Sequence, residues 1–328
     1  MRHYAKHSGA LALLPLLLLD ACTPSGLGTG GTPTAFAIAV RSATDNTANH
    51  PSNTSFQLNA SCLATEQLVG GGFNFINESN QLPTVVVVEG SFPSSINTWS
   101  IQARNPDSQA QYSNTSHVTL QALAYCVTTS NYSLDVAIDS SSPLTIIRSS
   151  GGTFPISVRC GQASALAMSG GFRTTSLSPL TESGLLGTGI VAAMPSPIDV
   201  THSSMGWLIE QVYSPSLSPA SPQLPITTRA YVLCARQRIN AQATRLVSAS
   251  SVLTFQSPTV GSSCSAGEFS VGGGYSGMPV TFGPGGVPAV YGSNAQHSPS
   301  AFSGWQVSGY SKFMSATVTA LCIRIPQI

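Results

Sequence analysis

Cysteine is the residue type with the most evident chemistry in this chain, and six of its seven copies recur in a pattern. Cys62, Cys160 and Cys264 lie 98 and 104 residues apart, and Cys126, Cys234 and Cys322 follow them in turn. Between the members of each pair stand a diglycine with an aromatic and then a single tryptophan. These are Gly71-Gly72-Phe73 with Trp99, Gly170-Gly171-Phe172 with Trp207, and Gly273-Gly274-Tyr275 with Trp305. Six thiols permit fifteen pairings. The repeat selects one, with a bridge closing each copy: Cys62–Cys126, Cys160–Cys234 and Cys264–Cys322. Each bridge would close a loop of roughly 60 to 75 residues and contribute about 4 kcal/mol in the chain-entropy model. Zinc ligation needs cysteines in close pairs or near histidines at short spacing, and neither occurs.

The seventh cysteine has a different setting. Arg2, His3, Lys6 and His7 make a basic start, and the apolar run Leu11 to Leu19 is too short to span a bilayer as a helix. It leads into Leu19-Asp20-Ala21-Cys22, which resembles a bacterial lipobox, although Asp20 departs from the usual small uncharged residue. Residues 1–21 are therefore expected to be a signal peptide and Cys22 a lipidation site. The Gly/Thr/Pro-rich stretch to residue 35 reads as a flexible tether reaching roughly 20 Å. The expected location is extracytoplasmic, anchored to a membrane through Cys22, where thiols oxidise.

No residue constellation suggests a reaction. H-E-x-x-H, a P-loop and a nucleophile elbow are all absent. Gly26, Gly28 and Gly31 fit a dinucleotide fingerprint by spacing alone, without the flanking strand and helix it needs. Gly274-Tyr275-Ser276-Gly277 approaches a hydrolase motif, but Met278 fills its last glycine. Outside the signal, His50, His117, His202 and His297 occupy unrelated places in the repeat and share no acidic partner. No catalytic, cofactor-binding or metal residue is expected, and no cofactor. Charged residues make up 8% of the chain and the net charge is +1. Ordinary soluble proteins carry about 25%. Without clustered cations, nucleic acid is not an expected partner.

The elements that must position these residues read as strands. Phe56, Leu58, Ala60 and Cys62 alternate with polar residues, as do Phe154, Ile156, Val158 and Cys160. The third copy lacks this pattern, with Ser262 and Ser263 before its cysteine. Closing strands alternate in all three copies, through Leu120, Ala122, Ala124 and Cys126 in the first. With Gly/Pro/Ser punctuation and no long helical period, the fold class is all-β, as three tandem antiparallel modules near 36–133, 134–237 and 238–328. The diglycine reads as bare backbone under the tryptophan, in preference to an anion-binding nest. On the face of the closing strands opposite the cysteines, Leu123, Tyr125, Tyr231, Leu233 and Leu321 are apolar. That face calls for cover, so the modules should pack together. Recognition would then fall to Ser94–Thr98, Ser214–Pro225 and Ser293–Gly304, which differ most between copies and are expected to be loops.

The order Cys, Val-Gly-Gly-Gly-Phe, Ser-x-Pro, Trp and Ala-x-x-Cys resembles a module of secreted bacterial proteins, some with collagen-like Gly-X-Y repeats. It is carried best by Cys62, Val69 to Phe73, Ser91-Phe92-Pro93, Trp99 and Ala122 to Cys126. The second copy lacks the third glycine, and the third copy lacks Ser-x-Pro. By analogy with a trimer of single modules, the resemblance implies pseudo-threefold packing within one chain. It carries no activity. The expected function is that of a non-catalytic, surface-anchored structural or adhesion-type lipoprotein. The alternative is a glycan-binding, lectin-like surface protein, and an enzyme is the remote third reading. Partners would be the membrane through the lipid, and a cell-wall or extracellular glycan or protein.

Overall fold

The computed structural model describes residues 38–323 apart from 52–53, 77–86, 105–118, 129–134, 147–151, 163–164, 177–187, 198–204, 214–224, 237–243, 253–258, 278–288, 299–300 and 311–314. The expected signal, Cys22 and the tether lie outside the described residues, as do His117, His202 and most of the Ser214–Pro225 segment. Among the described residues, every regular element is a strand apart from a 3-10 turn at Thr47–Asn49.

The first repeat supplies β1 (Ile38–Asn46), β2 (Ser55–Ser61), β3 (Glu66–Ile76), β4 (Val87–Ser95), β5 (Thr98–Arg104) and β6 (Thr119–Thr128). The second supplies β7 (Val136–Ser140), β8 (Leu144–Ile146), β9 (Gly152–Arg159), β10 (Leu166–Ser176), β11 (Thr188–Pro197), β12 (Met205–Tyr213) and β13 (Ile226–Ala235). The third supplies β14 (Thr244–Val252), β15 (Thr259–Ser263), β16 (Phe269–Ser276), β17 (Ala289–Ser298), β18 (Ala301–Tyr310) and β19 (Ser315–Ile323).

No repeat completes a sheet. The first sheet runs β1-β6-β3-β17-β18-β15, the second β2-β5-β4-β10-β13-β7 with β8 also on β13, and the third β14-β19-β16-β11-β12-β9. Each is thus half one repeat and half another, joined at the seams β3–β17, β10–β4 and β16–β11. The chain is all-β and antiparallel, with pseudo-threefold exchange of half-sheets, and Ala35–Ile328 form one compact unit. The disulfides join Cys62 to Cys126, Cys160 to Cys234 and Cys264 to Cys322. The first cysteine of each pair follows a strand in one sheet and the second lies in another sheet. Together the bridges tie the three sheets in a ring.

The glycines explain how the sheets approach so closely. A Cβ on Gly71, Gly170 or Gly273 would overlap the ring of Trp99, Trp207 or Trp305 respectively. A Cβ on Gly72, Gly171 or Gly274 would strike the carbonyl oxygen of Ser293, Ser91 or Ala193 across a seam. Gly70, Ser169 and Gly272 are a third set, meeting where β3, β10 and β16 converge. The diglycine therefore serves packing, with one glycine per tryptophan and one per seam. The three tryptophans are at most 2% exposed.

One departure from the pattern is accommodated, and one expectation needs correction. The Ser262-Ser263 segment keeps its strand although its apolar pattern is gone. Ser262 is 1% exposed, and its hydroxyl donates to the carbonyl of Val247 at 2.7 Å, which makes burial of a serine affordable. Ser293–Gly304 was expected to be a loop, but Ser293–Ser298 belong to β17 and Ala301–Gly304 to β18. Divergence between the copies suggested a loop, but pairing with β18 along the segment and with β3 at Ser293 makes it sheet.

Candidate functional site: the seam of the first sheet

Where β3 meets β17, the outer face of the first sheet sinks into a groove of about 670 Å³. Its walls come from two repeats. Asn74 and Gln121 are direct cross-strand partners on β3 and β6, and Asn294 and Gln306 are partners on β17 and β18. The two halves meet where Gly292 pairs with Asn74 and Ser293 with Phe73.

The floor is fixed from below. Tyr125 is 1% exposed, lies edge-on to Trp305 at 6.0 Å between ring centroids, and accepts a hydrogen bond from the Ala295 backbone N–H at 2.8 Å. Burial pushes its phenol well above the ordinary value, so it stays neutral. Asn294 is also held: Nδ2 donates to the carbonyl of Phe73 at 3.2 Å, and Oδ1 accepts from Gln306 Nε2 at 2.8 Å. Gln296 Oε1 accepts from Ser263 at 3.3 Å. The carboxamides of Asn74 and Gln121 make no hydrogen bond among the described residues. Val40, Leu123 and Ala295 add apolar surface, and the described lining has no charged side chain. Such a surface can exchange hydrogen bonds with a neutral polyol and cover its C–H faces. It offers no group to move a proton at neutral pH.

The same positions on the other sheets carry different chemistry. Asn74 and Gln121 correspond to Arg173 and Arg229 on the second sheet and to Ser276 and Thr317 on the third. Asn294 and Gln306 correspond to Phe92 and Ser100, and to Met194 and Leu208. One frame thus presents an amide face, an arginine–aromatic face and an apolar–hydroxyl face.

Tyr125, Leu233 and Leu321 are buried, but Leu123 is half-buried in the groove wall and Tyr231 is half-buried against Phe92 of the first repeat at 5.1 Å, so this face of the closing strands is covered only in part. Ser94–Thr98 forms the tip between β4 and β5. His50 does have an acidic partner: its Nε2 lies 2.8 Å from Asp45, and its ring stacks on Phe56 at 4.0 Å. Hydrogen bonds from Asn49 and from His50 hold the Asp45 carboxyl below its ordinary value. This pair sits at the end of β1, apart from the groove.

Carboxylates also flank two disulfides, Glu66 beside Cys62–Cys126 and Asp139 beside Cys160–Cys234. Oxidised sulfurs are no thiolate ligands, and both carboxylates have structural work. Glu66 accepts from the Leu63 N–H at 3.0 Å and pairs with Arg41, while Glu268 accepts from the Ser265 N–H at 2.9 Å. In the second repeat Ser164 replaces the glutamate, and Asp139 stands where Arg41 does. It accepts from the Gly161 N–H at 2.8 Å, so the cap after the cysteine is kept from the opposite strand.

The groove itself was not foreseen. Its halves come from repeats some 200 residues apart, and only the strand exchange joins them. Comparing registers between copies, Asn74 against Arg173 and Ser276, was the available signal. No protein-family model matches the chain, and no curated protein is similar to it.

Proposed function

We propose that this is a non-catalytic, adhesion-type surface protein, exported and held to a membrane by lipid on Cys22, with its three sheets carried on the 22–35 tether. The three disulfides are compatible with an extracytoplasmic location. The lipobox-like Leu19-Asp20-Ala21-Cys22 and the resemblance to secreted bacterial modules support export and anchoring.

The glycan-binding reading is favoured by one observation, the charge-free, amide-lined groove across the β3–β17 seam. Sugar hydroxyls pair well with carboxamides that both donate and accept, and a floor fixed by Tyr125 and Asn294 costs little ordering on binding. In this reading the tryptophans are core and the ligand platform is Asn74, Gln121 and Gln306. An array of neutral oligosaccharides probed with residues 23–328 tests it. We expect retention of a neutral glycan, lost in Asn74→Ala/Gln121→Ala. No retention, or retention indifferent to that double change, rejects the site. Mass spectrometry of the mature N-terminus tests the anchor, and an unmodified Cys22 rejects it.

A further inference from the structure

The second sheet carries two arginines where the first carries Asn74 and Gln121. Arg173 on β10 and Arg229 on β13 are direct cross-strand partners. Like charges placed opposite each other destabilise a sheet. The expense is notable in a chain with 13 lysines and arginines among 328 residues. Nearby negative charge is already used. Glu89 accepts from Arg104 at 2.6 Å, from Ser55 at 2.7 Å and from Gln102 at 3.2 Å. Arg173 reaches that network only through a neutral relay, its Nε donating to Gln102 Oε1 at 3.0 Å. Its guanidinium lies 5.5 Å from the centre of the Phe92 ring, which stacks on Tyr231. Arg229 has no ion-pair partner among the described residues. Thr227, Arg229 and Tyr231 share one face of β13, and hydroxyls continue that face: Thr145 Oγ1 lies 3.0 Å from Thr227 Oγ1, and Thr175 donates to the Thr227 carbonyl at 3.4 Å.

We propose that Arg173 and Arg229 bind the oxyanion of an acidic saccharide, the carboxylate of a uronate or a sulfate ester. The sugar ring lies toward Tyr231, and its hydroxyls meet the Thr145–Thr227–Thr175 row. Two planar guanidinium forks match an oxyanion, and an incoming negative charge removes the repulsion between them. The hydroxyl row extends well beyond what a bare ion would use, which favours a polyol carrier. This site lies on a different sheet from the amide groove and stands independently of it.

Calorimetric titration of residues 23–328, which lack the proposed lipid-bearing Cys22 and contain the whole compact unit, tests the assignment, using hexagalacturonate, a sulfated dextran oligomer, maltohexaose, inorganic phosphate and phosphatidylglycerol vesicles. We expect an acidic oligomer to bind, with affinity falling as sodium chloride rises. Arg173→Gln and Arg229→Gln should each weaken it by about tenfold, and the double variant should abolish it while keeping all three disulfides. Either single variant should also melt at a higher temperature than the unaltered protein at low salt, with the gain shrinking at high salt. Failure of both acidic oligomers to bind at millimolar concentration overturns the proposal, as does unchanged binding by the double variant. So does phosphate binding as tight as the oligomers, which would mean a bare ion site. Vesicle binding in place of oligomer binding would make the face a membrane contact, and an unchanged melting temperature in both single variants would remove the uncompensated pair.

Discussion

At the scale of single residues, pseudo-symmetry turns each departure into an internal control. Trp99 and Trp305 donate their indole N–H to Ser91 and Ser293 at 3.1 and 3.0 Å. Ala193 stands at the matching position in the second repeat, and the Trp207 indole nitrogen is buried without a partner among the described residues. Ala193→Ser should therefore stabilise the protein by about 1 kcal/mol, read from the chemical-denaturation midpoint, whereas Ser91→Ala should cost about 1–3 kcal/mol. Gln211 is another departure. It is 0% exposed, neither amide atom has a partner among the described residues, and it stands where the other repeats have Ala103 and Gly309. Glu66 gives a pH test. Hydrogen bonding from Arg41 holds its carboxyl below the ordinary range. Its contribution to stability is present above the unfolded value of about 4.3 and is lost as pH falls through the lower folded value. Glu66→Gln should flatten the acid limb of a stability–pH curve, and an unchanged limb would remove this role.

At the scale of strands, the seams rather than the repeats hold the design. Gly171 lies against the Ser91 carbonyl where β10 meets β4. Gly171→Ala cannot be absorbed by rotating a side chain, because backbone is in the way. We expect a loss of several kcal/mol, whereas Gly152→Ala, which meets only the edge of Phe154 at 3.8 Å, should be tolerated. Thermal melts of the two variants distinguish seam packing from a general intolerance of side chains on these strands. Period-two alternation made strands such as Phe56–Cys62 and Leu120–Cys126 legible in the sequence, because one face is buried. The seams were not legible. Only two residue pairs join β3 to β17, Asn74 with Gly292 and Phe73 with Ser293, and no local pattern announces so short a contact between distant segments. The amide face was misread for the same reason: Ser293–Ser298 diverges between copies because Asn294 and Gln296 face a groove that another repeat completes.

At the scale of the whole molecule, three copies of one sequence make a body that no single copy could form, since each sheet borrows half its strands from a neighbour. That explains why the frame repeats strictly while the faces diverge. Core, glycines and cystines answer to three-way packing, whereas Asn74, Arg173 and Ser276 answer to whatever each face meets. It also assigns the disulfides a role beyond closing loops, as each fastens two sheets. Cys160→Ala/Cys234→Ala should lower stability by about 2–4 kcal/mol in denaturant. The most direct test of the exchanged architecture is small-angle X-ray scattering on residues 36–328. One compact body of this size should give a radius of gyration of about 19 Å and a bell-shaped pair-distance distribution. A value of roughly 30 Å with a multi-peaked distribution, as three separate hundred-residue domains in a row would give, would contradict the shared sheets and with them every site built across a seam.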